Sequence, residues 1–456
     1  MLFKGENVEN SKNYLKLERF GDRIAIKSLD GKTLTYTELA HSCDVFAQRF
    51  PTDRKCLIVH AVTNERASII ALYAMLRAGH AVLLSEAGNR AHTDRLIEQY
   101  DPDFVIEGDC VTERPSTKDR PVLHPDLAWI INTSGSTGSS KGVRLSSEAI
   151  AANGRDISNY LKLTSDDCAL LTLPLHYCYG LSVLNSHFRV GATVVDGLTS
   201  ASDGDFEAVL RDLEVTNFPA VPYTIELLES QGFRSWDLPN LRLVTQAGGR
   251  LSPDLVTHYA RWARDGASDI SRDFFVMYGA TEATSRMAYM TTEDALRTPD
   301  AVGRAIPNGS FEIVDEQGAP LTEAGQAGEL VYRGPNLMMG YAHDRGDLSL
   351  SAEISSLQTG DIAEWTSDGL VRIVGRVSRF SKIFGKRQNL DDIEERLHRA
   401  GYSAVAVSDD RMLFLGVENA HHIDEVAQSA SENFEIPAHL IAVSHVDPMP
   451  RFKCKP

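Results

Sequence analysis

The chain has 456 residues, about three times a common domain length, so two or three folded units are expected. With 43% hydrophobic and 24% charged residues, 33 Gly and 18 Pro, its make-up is globular, which excludes a disordered, collagen-like or fibrous chain. Its 63 acidic residues outweigh 46 Lys and Arg, for a net charge of −17, a poor surface for nucleic acid or anionic lipid. Any anionic ligand has to be met by locally placed cations and backbone amides.

The six cysteines (Cys43, Cys56, Cys110, Cys168, Cys178, Cys454) are scattered, with no C-x-x-C pair. That pattern suits reduced cytosolic thiols better than a disulfide frame or a zinc site. Met1–Leu15 is charged throughout and lacks an apolar h-region, so no secretory signal is expected. The longest apolar candidates are interrupted by Arg77 or His80, so no spanning helix is expected. A cytoplasmic protein is the expectation.

In chain order, Cys56–Ala61 reads as a buried strand, Arg66–Arg77 as a helix ended by Gly79, and Ala81–Leu84 again as a strand. The rhythm recurs at Leu170–Leu173, Thr193–Val195 and Leu243–Thr245, which predicts a large α/β domain with covered mixed sheets. After about Gly334 the texture changes. Leu370–Val374 is a short alternating strand, and Asp391–Arg399 an amphipathic helix with an acidic first turn. Ser403–Val407, Met412–Val417 and His439–Ser444 read as strands around a helix near His421–Asn433. These form a small α+β unit; with the boundary near Gly375–Ser378, the expected domains are 1–375 and 376–456.

The segment richest in chemistry is Ile130–Val143, IINTSGSTGSSKGV. An apolar strand runs into small hydroxylated and glycine residues closed by Lys141-Gly142. Such a loop lets backbone N–H groups converge on a phosphate while hydroxyls add donors and a lysine adds charge. A flexible linker rarely follows a buried strand so abruptly. A Walker loop needs Gly-Lys-Ser/Thr, but Ser140 precedes the lysine and Gly142 follows it, so that reading fails.

The segment resembles the phosphate loop of the adenylate-forming superfamily: acyl-CoA synthetases, peptide-synthetase adenylation domains and luciferases. The match runs through Thr133, Ser134, Gly135, Ser136, Thr137, Gly138, Lys141 and Gly142, with Ser140 in place of the usual proline. Further segments fall in the family's order. Thr35-Tyr36-x-Glu38-Leu39 resembles T-Y-x-E-L, and Ala247–Leu251 resembles the glycine pair, here Gly248 and Gly249, that approaches adenine and acyl group. Met277–Glu282 resembles Y-G-x-T-E. The resemblance implies that Tyr278 stacks on adenine, Thr281 contacts the α-phosphate and Glu282 holds Mg²⁺. Thr359-Gly360-Asp361 resembles T-G-D, whose Asp takes the ribose hydroxyls. Gly375-Arg376 with Lys382, Gly385 and Asp391–Glu394 resembles the family's hinge region. There Arg376 would contact ribose or phosphate, and Gly385 would line the thiol entrance. Ser378 stands at the hinge position, where Asp or Lys is usual. The tail Met449–Pro456 resembles P-R-x-x-x-G-K, with Lys455 as the catalytic lysine, Lys453 as its substitute and Cys454 in place of Gly.

The implied reaction is ATP- and Mg²⁺-dependent activation of a carboxylic acid to an acyl-adenylate, followed by thioester formation with CoA. A carrier-protein phosphopantetheine as acceptor, loaded with an acyl or amino acid, and a degenerate nucleotide-binding module remain the alternatives. Leu173–Leu181, LPLHYCYGL, resembles the P-L-x-H-x-x-G-L of acyl- and aryl-CoA synthetases. His176 sits at their gate position, and Tyr177, Tyr179 and Gly180, with Gly248, would shape the acyl pocket. This segment holds no Asp to pair with an ammonium, so a neutral acyl or aryl acid is expected.

Overall fold

The computed structural model describes residues 13–115, 119–133, 141–197, 200–202, 204–265, 271–383, 386–408, 412–434 and 436–446. The chain divides into two compact units, one of residues 1–310 and 332–357, the other of 311–331 and 358–456.

The first unit is built on two large mixed sheets. In the nine-stranded sheet, Asp273–Tyr278, Leu243–Gln246, Asn217–Ala220, Cys168–Leu170, Thr193–Val195 and Ile24–Lys27 run parallel in that spatial order. Antiparallel strands close both edges. The seven-stranded sheet runs Gly340–Ala342, Lys141–Ser146, Leu127–Thr133, Ala81–Glu86, Leu57–Val62, Phe104–Glu107, Cys110–Glu113. All six residues of Leu57–Val62 are buried, as a strand covered on both faces demands. The helix Arg66–Arg77 forms where its periodicity predicts and buries Ile69, Leu72, Tyr73 and Leu76. One hydrophobic core draws on both sheets and on this helix and Cys178–Val190.

Thr35-Tyr36-x-Glu38-Leu39 turns out to be a helix start. The Thr35 hydroxyl accepts from the Glu38 amide at 3.2 Å and the Glu38 carboxylate from the Thr35 amide at 2.8 Å. This capping box opens the helix Tyr36–Ala47, with Tyr36 and Leu39 fully buried.

The second unit holds a four-stranded sheet of Ser310–Val314, Gly328–Arg333, Leu357–Trp365 and Val371–Arg376. Beyond it, Ala404–Ser408 pairs antiparallel and Ile441–His445 parallel with the central Leu413–Val417. The helices Leu390–Arg399 and Ile423–Phe434 complete a separate core with Ile393, Leu397, Leu415, Val426 and Phe434. The α+β region expected from the sequence is therefore present with its own core. The proposed domain boundary at 375/376 falls inside the second unit.

Candidate nucleotide and acyl site

The segment Met277–Arg286 folds back on itself at the end of the strand Asp273–Tyr278, which leaves Tyr278 half-buried at its tip. A Cβ on Gly279 would stand 1.7 Å from the Ser285 carbonyl oxygen, so only glycine permits the reversal. Thr284 is held at φ 64°, a left-handed conformation unfavourable for a β-branched residue. The fully buried Asn336 stabilises this turn. Its Nδ2 donates to the carbonyls of Ala283 and Arg286 at 2.7 and 2.9 Å, and the Thr284 hydroxyl donates to the Asn336 carbonyl at 2.7 Å. Nothing in the sequence motif pointed to Asn336, which lies far along the chain.

The same turn presents Glu282 to a tyrosine. Tyr341 donates its hydroxyl to Glu282 Oε1 at 2.9 Å, and the Met338 amide donates to the Glu282 carbonyl at 2.8 Å. Burial and the Glu282 carboxylate both push the Tyr341 phenol well above its ordinary value, so it stays a donor. On the Tyr341 ring lies the Lys141 ammonium, 5.3 Å from the centroid, within cation–π range. The reason is the strand register: Gly340–Ala342 pairs antiparallel with Lys141–Ser146, Tyr341 opposite Val143. One aromatic ring thus joins two residues that the sequence assigned to separate motifs. Tyr341 itself was missed, because no sequence signal links it to either.

Thr133 ends the strand Leu127–Thr133 and pairs with Lys141 across the ladder. Thr133 and Lys141, which flank residues 134–140, therefore stand on one rung. Ser134, Gly135, Ser136, Thr137 and Gly138 lie outside the described residues. Among the described residues no cluster of three or more His, Cys, Asp or Glu could cage a metal. A magnesium ion needs less, since it is commonly held by one or two carboxylates and substrate phosphates. Glu282 fits that demand: Tyr341 occupies Oε1, and no bond to Oε2 is made among the described residues.

The segment Leu173–Leu181 is pinned by the buried Asn64. Its Nδ2 donates to the Leu171 and Leu173 carbonyls at 3.1 and 2.8 Å, while its Oδ1 accepts from the Leu175 amide at 3.0 Å. His176 follows, half-buried, its pKa lowered by burial against the opposing pull of Glu86. Tyr177 and Tyr179 meet edge to face at 6.4 Å, and Gly180 lies buried in the first turn of the helix Cys178–Val190. A Cβ on Gly248, which has φ +80°, would come within 3.0 Å of the Tyr177 hydroxyl. Gly249 follows half-buried, its carbonyl accepting from Gln246 Nε2 at 2.9 Å. The Thr281 hydroxyl donates to Cys178 Sγ at 3.5 Å. The expected nucleotide turn and the expected acyl segment are therefore in direct contact.

In the second unit, Asp361 and Arg376 are opposite one another on paired strands. Arg376 Nε donates to Asp361 Oδ1 at 2.6 Å. The Asp361 amide donates to the Thr359 hydroxyl at 3.1 Å, which in turn donates to the Leu330 carbonyl at 2.9 Å. Ser378 lies in the 3₁₀ turn Val377–Arg379 that follows. Gly385, Lys453, Cys454 and Lys455 lie outside the described residues.

Residues 84–342, more than half of the chain, match the family of AMP-binding enzymes. The chain belongs to that family. Among curated AMP-binding relatives, it is 31% identical over 271 residues to an indoleacetate–CoA ligase of Aromatoleum aromaticum, across 59% of this chain and 50% of the relative. It is 28% identical over 307 residues to an oxalate–CoA ligase of Arabidopsis thaliana, across 65% of this chain and 55% of the relative. The chain spans about half the length of these curated relatives. A match to a linear gramicidin synthase of Brevibacillus parabrevis, 25% identical over 433 residues, takes in 86% of this chain and 5% of that protein. In fold, the chain is similar to the O-succinylbenzoate coenzyme A synthetase of Bacillus subtilis in complex with AMP. That likeness has a TM-score of 0.77 at 20% identity, over 97% of this chain and 96% of the other.

Proposed function

We propose that the protein uses ATP to activate a carboxylic acid as an acyl-adenylate and then transfers the acyl group to the thiol of CoA. The observation that carries this reading is the Lys141–Tyr341–Glu282 arrangement, a cation and a carboxylate held by one ring in a chain of the AMP-binding family. The names of the indoleacetate– and oxalate–CoA ligases support acid activation with CoA as acceptor.

A carboxylate is already ionised at neutral pH, so no general base is required. Its oxygen attacks the α-phosphorus, the bond to the β-phosphate oxygen breaks, and pyrophosphate leaves. The obstacle is anion meeting anion. Lys141 supplies charge at the phosphates, Thr281, once its hydroxyl turns from Cys178 Sγ, a donor at the α-phosphate, and Tyr278 a face for adenine. Bound at Glu282, Mg²⁺ supplies further charge neutralisation. The Glu282 carboxylate is oriented for that ion by Tyr341. Asp361 accepts from the ribose hydroxyls, and Arg376, whose Nε holds Oδ1, fixes its rotamer. Lys455 completes the adenylating state. In the thioester step the thiol sulfur attacks the acyl carbon and loses its proton to solvent, the bond from the acyl carbon to the phosphate oxygen breaks, and AMP leaves. A turn of the C-terminal region about Ser378 between the two steps belongs to the same reading.

A carrier-protein thiol is the second reading, supported by the reach of the gramicidin synthase match over 86% of the chain. Offering CoA and a phosphopantetheinylated carrier to one acyl-adenylate separates the two acceptors. The primary test is ATP–pyrophosphate exchange dependent on added acid, compared between the wild type and Glu282→Gln. Exchange in the wild type that falls about 100-fold or more in the variant supports the reading. Tight ATP binding with no exchange for any acid contradicts it.

A further inference from the structure

Arg286 is 3% exposed, and the side chains it stacks on or donates to, Tyr179, Ser285 and Met277, are neutral. Its guanidinium carbon lies 3.8 Å from the centroid of the Tyr179 ring. Nη1 donates to the Ser285 hydroxyl at 2.6 Å and Nε to the weak acceptor Met277 Sδ at 3.3 Å. Burial raises the pKa values of the Tyr160 and Tyr177 phenols and the Cys178 thiol, and the nearby Arg286 charge opposes that rise in each. No carboxylate among the described residues pairs with it, whereas Arg144 and Arg345, also buried, each have one, in Glu353 and Asp103.

An arginine keeps its proton in a protein interior, so burial without a counter-charge is costly. The position explains why the cost is borne. Arg286 stacks on Tyr179 and sits beside Tyr177 and Cys178, in the segment that the sequence assigned to the acyl pocket. Cys178 in turn accepts from Thr281, which borders the reaction centre in the proposed function. A guanidinium offers five N–H donors in a planar fork that matches a carboxylate.

We infer that Arg286 binds a second carboxylate of the substrate, so that the acid activated is a dicarboxylic acid, one carboxylate reacting and the other paired with this guanidinium. This rests on the adenylating reading above and replaces the neutral acid expected from the sequence. The Tyr179 ring, packed against the cation and anchored by its own hydroxyl to the Thr245 carbonyl and hydroxyl, both at 3.0 Å, holds the fork in place.

The test is ATP–pyrophosphate exchange with matched pairs of acids, each dicarboxylic acid against its monoamide and its methyl-terminated isostere, for the wild type and for Arg286→Met and Arg286→Lys. The expected result is a wild-type kcat/KM for the best diacid on the order of 100-fold above its neutral partners. That ratio collapses toward one in Arg286→Met and is partly restored in Arg286→Lys. The wild-type comparison decides even if a variant fails to fold. Monoacids that work as well as diacids in the wild type overturn the inference and leave the adenylating reading intact. Arg286→Met losing exchange equally with both members of each pair overturns it too, since the guanidinium would then serve the phosphates or the reacting carboxylate. No exchange with any acid, while ATP still binds, overturns the adenylating reading itself.

Discussion

At the residue scale, the Tyr341 hydroxyl is the most economical point of attack on the proposed magnesium site. Tyr341→Phe keeps the ring under Lys141 and removes only the donor to Glu282. A hydrogen bond to a charged group contributes about 2 kcal/mol, so kcat/KM for MgATP should fall roughly 10- to 30-fold. Steady-state kinetics with magnesium varied checks this, and an unchanged magnesium dependence counts against the role given to Tyr341. A second residue reports on stability. Burial brings the His60 imidazole down to about 4 from its usual 6.5. Between those values the unfolded chain takes up a proton that the folded chain refuses. Stability therefore falls as pH drops from about 6.5 to about 4, by up to about 1.4 kcal/mol per pH unit from this group, and levels off below. Urea unfolding across that range should show a shallower slope in His60→Gln.

At the scale of elements, the strand Gly340–Ala342 matters most, because it carries Tyr341. Arg144, fully buried, clamps the chain around it: Nε donates to the Tyr341 carbonyl at 3.2 Å and Nη1 to the Leu350 carbonyl at 2.6 Å, while Nη2 pairs with Glu353 at 3.1 Å. Arg144→Met leaves these acceptors unpaired and should cost about 3 kcal/mol of stability, with a raised KM for MgATP. Thermal unfolding and kinetics measure both, and a variant as stable as wild type contradicts the clamp. The same strand shows where sequence reading stops. The motifs at Thr35–Leu39 and Met277–Glu282 were legible by resemblance, but their local reasons, the Thr35–Glu38 capping box and the backbone crossing at Gly279, came only with the structure. The helix Arg66–Arg77 and the strand Thr193–Val195 were legible from periodicity and β-branching. Tyr341, Asn336 and Asn64 were not, since each acts through partners distant in sequence that only the sheet registers bring near. Arg286 was hidden differently: the sequence shows a charge but not its burial.

At the scale of the whole molecule, the two proposed steps ask for separable defects. Lys455→Ala should abolish adenylate formation yet spare thioester formation from a supplied acyl-adenylate, measured as two half-reactions. Equal loss in both contradicts the role proposed for the tail. Ser378→Pro, in the turn after the strand Val371–Arg376, should slow the thioester step more than adenylation. Normal rates in both steps contradict the proposed rotation. The central claim is that the described residues assemble a centre for carboxylate attack on ATP. Acid-dependent exchange of labelled pyrophosphate into ATP, run over mono- and dicarboxylic acids, measures it most directly. Exchange should require both acid and magnesium and be lost in Glu282→Gln; bound ATP with no exchange for any acid would mean that these residues build no such centre.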